Sequence, residues 1–187
     1  MQLLKPHIRE KIVNNARDVF FEKGYSKTSM RLIARKSKIT VGNIYRYFKN
    51  KEALFDFIVL ETYSELIDYI NRHKAAPIEE QLTDQYLTTV LREFSEICID
   101  KPKEIVIILE RYFAGGSYES LAKLEKIIHR RLLDVIPTLD DSFVKLIVFI
   151  MYKGVLYTLQ NEPLAELEQA LNKLFKFIFQ DIVERVN

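Results

Sequence analysis

Apolar side chains return every three to four positions along nearly the whole chain, the period of an α-helix and not the alternation of a strand. Ile12, Val13, Ala16, Val19 and Phe20 form the first stripe, in a helix predicted from Pro6 to about Lys23 and stopped by Gly24. Met30, Ile33 and Ala34 share one face of a short second helix, with Thr28 as its expected cap. The run turns polar at Arg35-Lys36-Ser37-Lys38, and Thr40 then caps a third helix, Val41 to Phe48, with Ile44 and Phe48 inward. Asn50 opens a fourth helix from about Lys51 to His73, long enough to leave one domain and enter the next.

Beyond Pro77 the pattern predicts five more helices. They span about Glu79–Ile99, Lys103–Phe113, Ser117–Ile136, Asp140–Asn161 and Pro163–Val186, with breaks at Lys101-Pro102, Gly115-Gly116 and Pro137. The expectation is therefore an all-α chain of nine helices in two domains, residues 6–66 and 67–187, the boundary lying inside the fourth helix. Residues 163–186 are apolar almost all round. Leu167, Leu171, Leu174, Phe175, Ile178 and Ile182 are candidates for a face buried by a second copy, in a two-fold, four-helix interface. A central core helix within one subunit is the alternative reading of the same pattern.

Net charge changes the picture only when the chain is divided. Residues 1–50 hold twelve Lys/Arg and three Asp/Glu, whereas residues 51–187 hold sixteen and twenty-three, although the total is only +2. A cationic module on an anionic body suits a polyanionic partner on one face, against the alternative of an ordinary solvated charge pattern. The single cysteine, Cys98, excludes an intrachain disulfide and reads as a small buried apolar residue. A cytoplasmic protein is expected, with neither a signal-peptide pattern nor a membrane span.

Residues 29–48 then carry the chemistry, as two short helices with a tight turn between them. A helix presenting small, polar and aromatic side chains fits the DNA major groove. Arg31 can fork to a guanine edge, Asn43 can address adenine and Val41 can touch a thymine methyl. Gly42 lets the backbone come close to DNA. Thr28, Thr40, Tyr45, Arg46, Tyr47 and Lys51 suit phosphate oxygens.

The order GYSKTSM followed by LIARKSKITVGNIYRYFKNKEALF resembles the DNA-binding domain of the tetracycline-repressor (TetR/AcrR) family, over roughly Ile8 to Val59. The aromatic ending Ile44-Tyr45-Arg46-Tyr47-Phe48 and the following Asn50-Lys51-Glu52-Ala53-Leu54 are its most specific part. The resemblance implies an N-terminal three-helix helix-turn-helix domain and a helical second domain for effector binding and dimerisation. It implies a homodimeric repressor on a palindromic double-stranded DNA operator, released by a small-molecule effector. Many relatives carry glycine in the turn where this chain has Lys38, so either a strained positive φ or a turn of different shape is expected there. An effector pocket among the middle helices of the second domain is likewise implied, with Tyr86, Phe94, Arg111, Tyr112, His129, Tyr152 and Lys153 as candidates. For Arg111 and Lys153 the competing reading is an internal ion pair or a charged tip reaching water.

No catalytic constellation is present. His7, His73 and His129 stand in no metal-ligand spacing, and no cysteine pair, H-E-x-x-H or G-x-S-x-G occurs. No cofactor is expected. A ligand-independent DNA-binding activator or architectural protein is the second functional reading. A helical enzyme docking on an acidic partner is the third, with no acid–base or metal cluster to support it.

Overall fold

The computed structural model describes residues 5–74, 84–115, 119–135 and 139–179. Among these are nine α-helices and no strand: α1 (Pro6–Lys27), α2 (Met30–Ser37), α3 (Val41–Tyr45), α4 (Lys51–Lys74), α5 (Asp84–Asp100), α6 (Pro102–Phe113), α7 (Glu119–Val135), α8 (Asp141–Asn161) and α9 (Leu167–Phe179). A 3₁₀ turn, Leu164–Glu166, precedes α9. The expected helix start at Glu79 and the expected end at Val186 lie outside the described residues. The helices form two compact units, Met1–Tyr63 with Lys103–Gly116, and Ser64–Pro102 with Ser117–Asn187. The division falls inside α4, three residues before the place expected from the sequence, and it groups α6 with the first unit.

In the first unit, Ile12, Val13, Ala16, Val19 and Phe20 of α1 are buried, as are Ile33 and Ala34 of α2, Ile44 of α3, and Leu54, Phe55, Ile58 and Val59 of α4. Gly24 interrupts α1 at φ 72°, ψ 165°, a left-handed value that glycine adopts without steric cost, and one further turn follows to Lys27. That turn carries Tyr25 back onto the core. Its ring stacks on Phe20, with centroids 5.8 Å apart, and meets Phe55 edge-on at 5.2 Å. α6 is held to this unit by charge as well as by apolar burial. Glu104 pairs with Arg17 at 2.5 Å and Lys103 with Asp18 at 2.7 Å.

In the second unit α8 packs against both α7 and α9, and α9 also packs against α5. Val144, Ile147, Val148, Met151, Tyr152, Val155 and Leu156 of α8 are buried, and Phe175 of α9 joins Phe94 and Tyr69 in one aromatic cluster. The Tyr69 hydroxyl donates to the carbonyl of Val90 at 2.9 Å, tying α4 to α5. Cys98 is fully buried, and burial pushes its thiol far above the ordinary value, so it is an inert core residue. By length and composition α8 could cross a membrane, a feature the patterning did not predict (21 residues, mean hydropathy 1.6). Half of that stretch is buried within the protein, which accounts for only part of its apolarity.

Candidate nucleic-acid interface

Three side-chain caps shape the motif. Ser29 Oγ accepts the N–H of Leu32 at 3.2 Å and opens α2, so the cap is one residue later than the Thr28 expected from sequence. Thr40 Oγ1 accepts the N–H of Asn43 at 3.2 Å and opens α3; Asn50 Oδ1 accepts the N–H of Ala53 at 2.8 Å and opens α4. Each oxygen satisfies a backbone donor that the helix itself leaves unpaired. Between α2 and α3, Lys38 stands at φ 53°, ψ 45°, so of the two expectations the left-handed conformation is the one observed. Its N–H bonds back to Arg35 at 3.1 Å, and that of Ile39 to Ala34 at 3.1 Å, which turns the chain sharply enough to start α3.

α3 is shorter than the eight residues predicted. It closes at Tyr45, and the N–H groups of Tyr47 and Phe48 both fold back onto the Ile44 carbonyl, at 2.9 and 3.0 Å. Ile44 and Phe48 point inward as expected. Arg31, Gly42, Tyr45 and Arg46 are exposed; Val41, Asn43 and Tyr47 are half-buried. Ile39, Thr40, Gly42, Asn43 and Arg46 line an open concavity of about 540 Å³. The Tyr47 hydroxyl accepts the Lys5 N–H at 3.1 Å, which leaves its own proton for another acceptor.

Two of the expected phosphate ligands are engaged within the chain. Thr28 is 3% exposed, and its hydroxyl donates to the Gly24 carbonyl at 2.7 Å, so its side chain ties the α1–α2 loop back to α1 and does not face outward. Lys51 is half-buried and donates to the carbonyls of Tyr25 at 2.8 Å and Thr28 at 3.0 Å. One of its three protons is left for an anion. Burial, and next the neighbouring Arg111, lower its pKa. Sequence spacing put both residues beside the motif but could not show that the loop between α1 and α2 uses them internally.

The effector candidates fall in both units. Arg111 and Tyr112 belong to the first unit, where the guanidinium of Arg111 lies 3.8 Å from the Tyr25 ring centre and 3.6 Å from Glu52. For Arg111 the internal-partner reading is therefore the one observed. Tyr86 and Phe94 lie on α5, His129 on α7, and Tyr152 and Lys153 on α8. Tyr86 donates to the His73 carbonyl at 2.9 Å, His129 pairs with Asp141 at 3.0 Å, Tyr152 is buried and Lys153 is exposed.

Most of the residues expected to meet a second copy on α9 are covered within the chain. Leu167, Leu171, Phe175 and Ile178 are buried within a single chain, because the stripe of α9 faces its own α8 and α5. Leu174 is half-buried, and Ile182 lies outside the described residues. The large apolar side chains left exposed in this unit lie mostly on α8, where Phe143, Leu146, Phe149, Ile150 and Tyr157 are each at least 40% accessible.

Residues 12–58 match the sequence profile described as bacterial regulatory proteins, tetR family. The chain is 38% identical over 190 residues to the probable HTH-type transcriptional regulator YttP of Bacillus subtilis, covering 86% of this chain and 87% of that protein. It is 38% identical over 61 residues to the HTH-type transcriptional regulator UidR of Escherichia coli K12; that match spans only 31% of UidR. The fold is similar to a TetR-family transcriptional regulator from Bordetella parapertussis, with TM-score 0.71 and 17% identity over 96% of this chain and 98% of that one.

Proposed function

The chain belongs to the TetR family of bacterial regulatory proteins, and from that premise we propose that it is a homodimeric repressor. It grips a palindromic operator and is released by a small-molecule effector bound in the second unit. Such a regulator needs no catalytic group.

The observation that carries the DNA reading is Gly42. A Cβ built there meets nothing within 4 Å, so no neighbour in the chain excludes a side chain at this position. Glycine inside a helix costs about 1 kcal/mol relative to alanine. Its place at the exposed start of α3, in the concavity shared with Thr40, Asn43 and Arg46, is explained by a partner that comes against the backbone. Duplex DNA fits the cations and hydroxyls around it. On this reading Arg31, Val41 and Asn43 face base edges. Thr40, Tyr45, Arg46 and Tyr47 fix the register on phosphates, with Lys51 contributing its remaining proton.

Two copies would present two α3 helices to successive major grooves about one turn apart or somewhat more, which is what a palindrome records. The exposed apolar row on α8 supports a second copy as its cover. An effector lowers operator affinity only if it binds the released state more tightly than the DNA-bound one.

The test is fluorescence anisotropy of the full chain with duplexes from the promoters of its own and neighbouring genes, titrated against salt. Specific binding should be lost in the combined Arg31→Ala, Tyr47→Ala variant. Arg46→Ala should weaken all duplexes alike and reduce the salt slope by about one. Binding no tighter than to bulk genomic fragments would overturn the reading. A promoter–reporter fusion gives the sign of regulation, and relief of binding by a metabolite separates a sensor from a constitutive DNA-binding protein.

A further inference from the structure

Tyr25 stands against two cations. The Lys51 ammonium is 4.0 Å from the centre of its ring, and the Arg111 guanidinium carbon is 3.8 Å from it. The Tyr25 hydroxyl donates a short hydrogen bond to Glu52 Oε2, and Arg111 Nη2 lies 3.6 Å from that same oxygen. At 3.6 Å the Arg111–Glu52 contact is an ion pair without a hydrogen bond, so the aromatic face is the closer hold on the guanidinium. Lys51 then donates to the carbonyls of Tyr25 and Thr28. Thr28 directly precedes Ser29, the cap of α2. A continuous line of contacts therefore runs from Arg111 through Tyr25 and Lys51 to the start of the helix-turn-helix.

Arg111 itself lies far along the chain, on α6, between the two stretches that make up the second unit. Within the first unit, α6 is fastened along its length, by Lys103 and Glu104 to α1 near its start and by Arg111 near its end. We infer that Arg111 is a positioning residue for DNA reading: held over the Tyr25 ring, it sets where the Lys51 ammonium and the first turn of α2 stand. The reading head is thus incomplete in residues 1–63 and is finished by α6. This rests on the DNA-binding reading above. It assigns Arg111 no contact with DNA and no effector.

The experiment uses the full chain and the operator duplex, with wild type as the first arm. Arg111→Met keeps bulk and removes charge; it should weaken operator binding about ten-fold, the scale of one cation–aromatic contact. Arg111→Lys keeps the charge but not the broad guanidinium and should fall between the two. In a Tyr25→Leu background the Arg111→Met change should be worth less than about two-fold, because its partner is already gone. Glu52→Gln provides the second leg of the cycle if Tyr25→Leu does not fold. A residue serving only stability would lower the melting temperature and leave the affinity of the folded protein unchanged.

Wild-type affinity in Arg111→Met, or an undiminished loss in the Tyr25→Leu background, would overturn the positioning role while the DNA reading stands. Failure of the wild type to select any duplex removes both.

Discussion

The hydroxyl of Thr40 accepts the backbone N–H of Asn43 at 3.2 Å, and this bond opens a helix of only five residues. A helix that short does not form alone in water, because nucleation costs more than one turn returns. It stands because Thr40 caps it and Ile44 and Phe48 anchor it in the core. Thr40→Ala should lower the free energy of unfolding by about 1 kcal/mol. Urea melts would show this as a lower midpoint at unchanged slope. Thr40→Ser should restore the midpoint, and an unmoved midpoint in Thr40→Ala would mean the cap is dispensable.

Lys38 ends α2 at φ 53°, where an L side chain costs roughly 1–2 kcal/mol. Part of that is offset by the greater freedom of glycine in the unfolded chain. Lys38→Gly is expected to raise stability by up to about 1 kcal/mol, or roughly 3 °C in melting temperature. Lys38→Ala keeps the strain and removes the same charge. Equal shifts in the two variants would trace the effect to charge and reject strain.

Tyr25 carries a pH dependence whose sign follows from its surroundings. Burial first, and then the hydrogen bond to Glu52, push its phenol from 10.0 up to about 12. The folded state keeps a proton that the unfolded chain releases near pH 10. This contribution is therefore complete below pH 10 and lost as pH rises from 10 to about 12. In an absorbance titration Tyr25 should ionise late, near pH 12, and Tyr25→Phe should remove that late step and flatten this part of the alkaline limb. A late step that survives in Tyr25→Phe belongs to another tyrosine.

Leu146 and Leu171 separate the two apolar faces of the second unit. Leu146 on α8 is 48% exposed, whereas Leu171 on α9 is fully buried. Leu146→Glu should keep the helical circular dichroism while shifting sedimentation toward the single subunit, since its carboxylate would be trapped only between copies. Leu171→Glu should fail to fold, because its charge has no route to water within one chain. An unchanged assembly state in Leu146→Glu would remove α8 as the face between copies.

The helical period, the caps at Thr40 and Asn50, and the inward pair Ile44 and Phe48 were all legible in the chain. Each depends on residues no more than four positions apart, and at that range backbone geometry alone places one side chain relative to another. The cap at Ser29 was misread by one residue for a related reason. Thr28 and Ser29 are equally good caps locally, and what decided between them was the bond from the Thr28 hydroxyl back to Gly24.

What periodicity could not supply was the neighbour of each face. The stripe of α9 is as apolar as one between copies would be, yet α8 and α5 of the same chain cover it, and the uncovered row lies on α8. Arg111 read as an effector ligand, an internal ion pair or a charged tip reaching water, and only packing set Tyr25 and Glu52, more than fifty residues earlier, beside it. Hydrophobic burial is non-directional, so a sequence states how much surface must be covered and not by what. Local hydrogen bonding therefore settled the helices and the turn, while long-range packing decided which faces meet and which stay open to a partner.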